Sequence, residues 1–245
     1  LGTRVQRKED PKFLTSGGVY ADDLDDERLA DAAQVVYVRS PIAHGAINGI
    51  DLSDAVGMPG VLAVHTAESL GLEPIPSPFN PTTARTLLAS DRVRYVGEPI
   101  AVVVAETLQQ ATDAAETVFA DIDPLAALVD MEEALGSDTL IYEAAGSNAV
   151  FDTTAIGVPE NSPTDEFFAD CEVTATGRFL NQRVAPCPLE VRASAAIWEE
   201  GRLTQWLSSQ HVQGAKAAFV AANQVEDGGV RIIAPDVGGG FGAKI

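Results

Sequence analysis

The alternation of apolar and polar positions divides the chain into short strands and two helices. Gln34-Val35-Val36-Tyr37-Val38-Arg39 is rich in β-branched and aromatic residues and reads as a strand, closed by Pro41. Further strands are predicted near residues 46–51 and over residues 61–65, separated by the turn signal Pro59-Gly60. Pro74, Pro76, Pro78 and Pro81 make residues 71–83 an extended loop. The longest apolar run, residues 99–105, has the length of a buried strand and falls far short of the roughly 18–20 residues of a membrane span. Behind it, Leu108, Ala111, Ala115, Val118 and Phe119 recur at the spacing of one helix face, with Thr107 as its N-cap. A strand over residues 119–122 follows and ends at Pro124, so strand, helix and strand suggest a βαβ-like unit. Residues 1–32 show no such period and are expected to be irregular, with a turn at Gly17-Gly18 and an acidic patch from Asp22 to Glu27.

Residues 136–165 are rich in Gly, Pro, Ser, Thr, Asn and Asp, which places a domain boundary there. Beyond it, Val173, Ala175, Gly177 and Phe179 alternate as in a half-buried strand over residues 171–180. Strands at 193–198 and 203–208 flank Glu199-Glu200-Gly201 and predict a hairpin. Val212, Ala215, Phe219 and Val220 mark a second amphipathic helix, and Asp227-Gly228-Gly229 turns the chain into a strand at 230–233. The fold class is α+β.

Composition narrows the function classes. Of 245 residues, 46% are hydrophobic and 21% charged, which excludes wholesale disorder. Sixteen basic against 36 acidic residues give a net charge of −20, which repels nucleic acid and anionic membranes. Cys171 and Cys187 are the only cysteines, too few for a disulfide framework or a four-cysteine metal site. His44, His65 and His211 lack metal-ligand spacing. A cytoplasmic setting is the default.

The strongest chemical feature is Gly238-Gly239-Gly240-Phe241-Gly242-Ala243-Lys244. Glycines after a strand let the backbone approach a ligand, because no Cβ intervenes. Gly238, Gly240 and Ala243 also satisfy a dinucleotide-binding spacing, though that motif needs a following helix. From composition, a ligand cradle and a bare turn are equally open. Gln210, at a strand-to-helix junction, could donate to a ligand or cap a turn. Glu190 and Arg192 share a strand face and predict a buried ion pair, Cys187 a buried thiol, and Trp198 and Trp206 packing. His44 is expected to make a structural hydrogen bond, and His211 to lie at the surface or in a cap.

Taken together, ordered segments resemble the molybdopterin-binding large subunit of the molybdenum hydroxylases, the family of xanthine dehydrogenase, aldehyde oxidase and aerobic carbon monoxide dehydrogenase. They include Arg7-Lys8-Glu9-Asp10-Pro11, Val38-Arg39-Ser40-Pro41, Val96-Gly97-Glu98-Pro99, Asn181-Gln182-Arg183, Pro188-Leu189-Glu190-Val191-Arg192, Ser209-Gln210 and the glycine loop. The resemblance implies an α/β hammerhead domain with an N-terminal extension over residues 1–135. It implies an incomplete first molybdopterin-binding domain over residues 147–245.

By resemblance, Gln210 hydrogen-bonds an oxo ligand of molybdenum, Phe241 lies at the metal centre, and Gly239, Gly240 and Gly242 bring backbone amides to the molybdopterin. The cofactor is expected in its cytosine dinucleotide form, with no direct protein ligand to the metal. The implied reaction hydroxylates an aldehyde, an N-heteroaromatic or carbon monoxide with water as oxygen source. Electrons leave to [2Fe–2S] clusters and FAD on partner subunits, in a dimer of heterotrimers. The family's base glutamate has no match here, so the chain is expected to be inactive alone, as a fragment or a split subunit. Ile245 follows Lys244 where purine-oxidising members carry glutamate, which disfavours xanthine. Two competing readings are a non-catalytic hammerhead scaffold that binds partner subunits and a dinucleotide-binding oxidoreductase using residues 238–243.

Overall fold

The computed structural model describes residues 2, 4–77, 80–151, 165–182, 184–223 and 225–245. Pro78, Arg183 and residues 152–164 of the Gly/Pro-rich boundary segment lie outside them. In chain order the helices are Asp10–Thr15 (α1), Ser53–Val56 (α2), Leu108–Thr117 (α3), Met131–Leu135 (α4) and Val212–Asn223 (α5). The strands are Gln34–Arg39 (β1), Gly45–Asp51 (β2), Val61–Thr66 (β3), Arg92–Val93 (β4), Pro99–Ala105 (β5), Phe119–Pro124 (β6), Ser194–Glu199 (β7), Arg202–Leu207 (β8) and Val230–Ile233 (β9). The chain forms two units, Ala33–Gly177 and Leu1–Ala32 with Arg178–Ile245.

In the first unit β5 is the central strand of an antiparallel sheet ordered β1-β5-β3, as its continuous apolar run requires. Val103 and Ala105 pack with Ala55, Val64 and the α3 residues Ala111 and Ala114. Ile100 joins Ala89 and Val93 in a second cluster, against Ile47, Ile50, Ala120 and Ile122 of a second sheet ordered β4-β2-β6. Val38 packs against both clusters. A ten-residue helix is marginal alone, so α3 owes its stability to this packing and to Thr107, whose hydroxyl accepts from the Gln110 amide at 3.3 Å.

Three expectations change here. Ala111 and Ala114 are the fully buried α3 residues, with the expected Ala115 and Val118 packed partly buried against the same cluster, while Leu108 and Phe119 are exposed, because only small side chains let the helix lie close on the sheet. β5 and β6 belong to different antiparallel sheets, so β5-α3-β6 is a crossing between sheets and no βαβ unit. The alternating segment 171–180 forms no strand, and Val173 and Phe179 are exposed. Alternation makes a strand only where another strand completes its hydrogen bonds, and no described strand pairs with it.

In the second unit β7 and β8 form the expected hairpin. Its central residues Glu200 (φ 50°) and Gly201 (φ 75°) both have positive φ, the twist that two-residue hairpins favour. β8 pairs in parallel with β9, and α5 makes the crossover. The expected face Val212, Ala215, Phe219 and Val220 is partly buried. Trp206 is buried, with the Arg28 guanidinium 5.4 Å from its ring, whereas Trp198, on the outer strand β7 opposite the buried Leu203, is exposed. Arg28 also pairs with Asp26 and Glu199, and its hydrogen bonds hold the Asp26 carboxyl down at about 2. Residues 1–32 thus pack on the hairpin of this unit, and they include the helix α1, with Pro11 in its first turn, where irregular chain was expected. Six residues are too few for a helical period to show in the sequence.

Candidate functional site

Because β8 and β9 are parallel neighbours, the segments leaving their carboxyl ends emerge side by side: Ser208-Ser209-Gln210 from one, and the chain running into the glycine loop from the other. The carboxyl edge of parallel strands is a common place for a ligand. The Gln210 amide donates to the Lys244 carbonyl at 2.7 Å, and the Ser209 hydroxyl reaches the same carbonyl at 3.3 Å. The Gln210 carboxamide oxygen accepts from the Gly242 amide at 2.9 Å and the Lys244 amide at 3.3 Å. Two N–H donors identify that atom as Oε1 and leave Nε2 as a donor with no protein acceptor among the described residues, on an exposed residue. Of the two contacts considered for Gln210, the capping one is present: its oxygen caps the loop.

The loop itself is tightly turned, with the Ala243 amide donating to the Gly240 carbonyl at 2.8 Å. Gly239 (φ 93°), Phe241 (φ 50°) and Gly242 (φ 85°) are left-handed, and an aromatic residue in that region is uncommon. A Cβ on Gly240 would lie 2.3 Å from the Gln210 carboxamide carbon. The amides of Gly238, Gly242, Ala243 and Lys244 are all used internally. Those of Gly239, Gly240 and Phe241 donate to no protein acceptor among the described residues. Three consecutive free donors on a backbone without Cβ atoms at two of the three positions suit an anionic, oxygen-rich group. The Phe241 ring beside them is 76% exposed.

Beneath the loop sits a carboxylate. Glu190 Oε2 accepts from the Lys244 ammonium at 2.7 Å, the Gly238 amide at 2.7 Å and the Ser208 hydroxyl at 3.0 Å. The Lys244 side chain is 1% exposed and that of Glu190 10%. This overturns the expected Glu190–Arg192 pair, since Arg192 donates to the Ala243 carbonyl. With no regular strand over 188–192, the two side chains are not held on one face. Asp236, just before the loop, accepts from the Val19 amide at 2.9 Å and pairs with Lys12. Cys187 is exposed where a buried thiol was expected, and its thiol donates to the Ala185 carbonyl at 3.6 Å. His211 is exposed, and in the first unit the buried His44 makes a structural bond from Nδ1 to the Ala126 carbonyl at 2.8 Å. The partnership of Ser208 and Lys244 with Glu190 was not read from the sequence. The available signal was a lysine embedded in a glycine-rich, otherwise uncharged stretch.

Burial opposes ionisation of Glu190, but Lys244, Gly238 and Ser208 outweigh it and hold the carboxyl below its ordinary value. A depressed folded value contributes stability that is fully present above the unfolded value of about 4.3 and is lost as pH falls through the folded one. Replacing Glu190 with Gln is expected to flatten the acid limb of stability below that pH, measured by denaturant unfolding at a series of pH values. An acid limb unchanged from wild type would show that this carboxylate is not the group responsible.

Comparison with known proteins matches residues 15–126 to the aldehyde oxidase and xanthine dehydrogenase α/β hammerhead domain, and residues 141–245 to the molybdopterin cofactor-binding domain. The chain is 33% identical over 260 residues to the carbon monoxide dehydrogenase large chain of Hydrogenophaga pseudoflava, covering 99% of this chain and 31% of that one. It is 33% identical over 253 residues to the nicotine 6-hydroxylase large subunit of Paenarthrobacter nicotinovorans, covering 100% of this chain and 30% of that one. Among solved structures, quinoline 2-oxidoreductase of Pseudomonas putida 86 superposes with a TM-score of 0.82 at 31% identity, over 100% of this chain and 31% of that chain. The chain spans about a third of the length of these relatives. It belongs to the molybdenum hydroxylase family, as the hammerhead domain and the start of the molybdopterin-binding domain of a large subunit.

Proposed function

We propose that this chain forms one wall of a molybdenum-cofactor site in an enzyme that hydroxylates an aldehyde, an N-heteroaromatic or carbon monoxide. The observation that carries the reading is the row of free amides at Gly239, Gly240 and Phe241 beside the free Nε2 of Gln210. When bound, the molybdopterin, in its cytosine dinucleotide form, would supply the redox chemistry, adding oxygen from water and passing two electrons to [2Fe–2S] and FAD partner subunits. The chain's own residues bind and orient. The amides of Gly239, Gly240 and Phe241 set a backbone cradle against the cofactor's anionic oxygens, whereas the Gly242 amide, expected to face the cofactor too, is taken by Gln210 Oε1. Gln210 donates one hydrogen bond from Nε2 to an oxo group, with its direction fixed because Oε1 is already held by the Gly242 and Lys244 amides. The exposed Phe241 ring offers an apolar wall that keeps water from one side of the reacting atoms.

The substrate classes follow the relatives, whose names span carbon monoxide, nicotine, quinoline and aldehydes. Ile245 next to Lys244 offers no carboxylate to a purine. The test is molybdenum content, by plasma mass spectrometry, of the full large subunit purified natively with its partners. About one molybdenum per subunit, with cytidine monophosphate released on acid treatment, is the expected result. A metal-free complex from a host that makes the cofactor would overturn the reading and leave a scaffold that only binds partners.

A further inference from the structure

The cofactor site as described does not use Glu190, although its carboxylate accepts three hydrogen bonds there. One oxygen, Oε2, receives the Gly238 amide, which opens the glycine loop, and the Lys244 ammonium, which closes it. Ser208, at the end of β8, adds a third donor to that oxygen. The anchorage is close: a Cβ on Gly238 would lie 2.6 Å from the Glu190 Cβ. Lys244 is held at its backbone as well, by Gln210 and Ser209. The second oxygen, Oε1, is buried and has no hydrogen-bond partner among the described residues.

A buried ion pair is a poor device for stability, since desolvating both charges offsets most of their attraction. Its merit is geometric. A single oxygen that bonds both ends of a seven-residue loop sets the distance between them, and so the curvature of the backbone in between. We propose that Glu190 is a positioning residue of the molybdenum site: its carboxylate clasps Gly238 and Lys244 so that the free amides of Gly239, Gly240 and Phe241 are presented to the cofactor. This rests on the cofactor reading above. Glu190 touches none of those amides, so it acts through the loop and takes no part in the reaction.

The experiment compares cofactor retention in the full large subunit with its partners, for wild type, Glu190→Gln, Lys244→Met and the double variant. Molybdenum and cytidine monophosphate are followed during prolonged dialysis, alongside thermal unfolding. Each single variant leaves one buried charge or donor unpaired, and either could unfold. The double variant removes both charges together, so it restores charge balance while leaving the Lys244 end of the loop unclasped. The expected result is a double variant that melts within about 3 °C of wild type yet loses molybdenum at least about tenfold faster. Ser208→Ala, which removes one donor and no charge, is expected to lose it about fivefold faster, as one net hydrogen bond implies. A double variant that retains molybdenum as wild type does would show that the pair only balances charge, and would overturn this proposal alone. A wild-type subunit that never carries molybdenum would overturn the cofactor reading itself.

Discussion

Replacing Gly240 with Val in the complete large subunit is expected to empty the molybdopterin site, with molybdenum content falling to about a tenth of wild type or less. The cause is local and steric. Even the first added carbon would sit 2.3 Å from the Gln210 carboxamide, far inside van der Waals contact. The strand–loop arrangement fixes Gln210 through its backbone bond to Lys244, so only its side chain can yield. If it yields, the Gly242 and Lys244 amides lose their acceptor and the loop opens. If it does not, the Gly240 amide is pushed from its place in the row of free donors. Either way the cradle is lost, while the hammerhead unit, whose core lies in residues 33–177, keeps its fold. Unchanged molybdenum content in this variant would count against the loop as the cofactor's seat.

Gln210→Ala is the second large effect. Removing a preorganised donor to an oxygen that carries developing charge costs on the order of a hundred- to thousandfold in kcat. In this protein the same substitution also removes the acceptor of two loop amides, so some molybdenum should be lost as well. Gln210→Glu separates the two roles. A carboxylate still accepts from the Gly242 and Lys244 amides, so the loop and its cofactor should be kept, but the Nε2 donor is gone and turnover should fall as far as in the alanine variant. Wild-type turnover in Gln210→Glu with full molybdenum occupancy would remove the donor role and leave Gln210 as a loop cap only.

Much of the fold is legible locally. β1, β5 and the β7–β8 hairpin could be read almost residue by residue because each is a short β-rich run bounded by turn residues, and a turn at Glu200-Gly201 needs only its own dihedral angles. Thr107 as a cap and the glycine loop as a place of close approach were visible for the same reason. The local signals failed where a partner was needed. Residues 171–180 have the alternation of a strand and no described strand beside them, and residues 99–124 have the order of a βαβ unit and two separate sheets.

The candidate site divides in the same way. Residue type alone left Gln210 and residues 239–242 open between a ligand contact and a plain cap or turn, and the resemblance to the family singled them out. That they meet at all depends on β8 lying parallel to β9, a pairing across a helix that no local pattern encodes. Sequence proximity offered Glu190 the charge of Arg192, two residues away; the fold gave it Lys244, 54 residues away. The reason is that a buried charge is satisfied by whichever opposite charge the backbone delivers to the same desolvated place. Local propensity decides which short segments form, whereas delivery across long stretches of chain is settled only when the strands pair and the loops between them close.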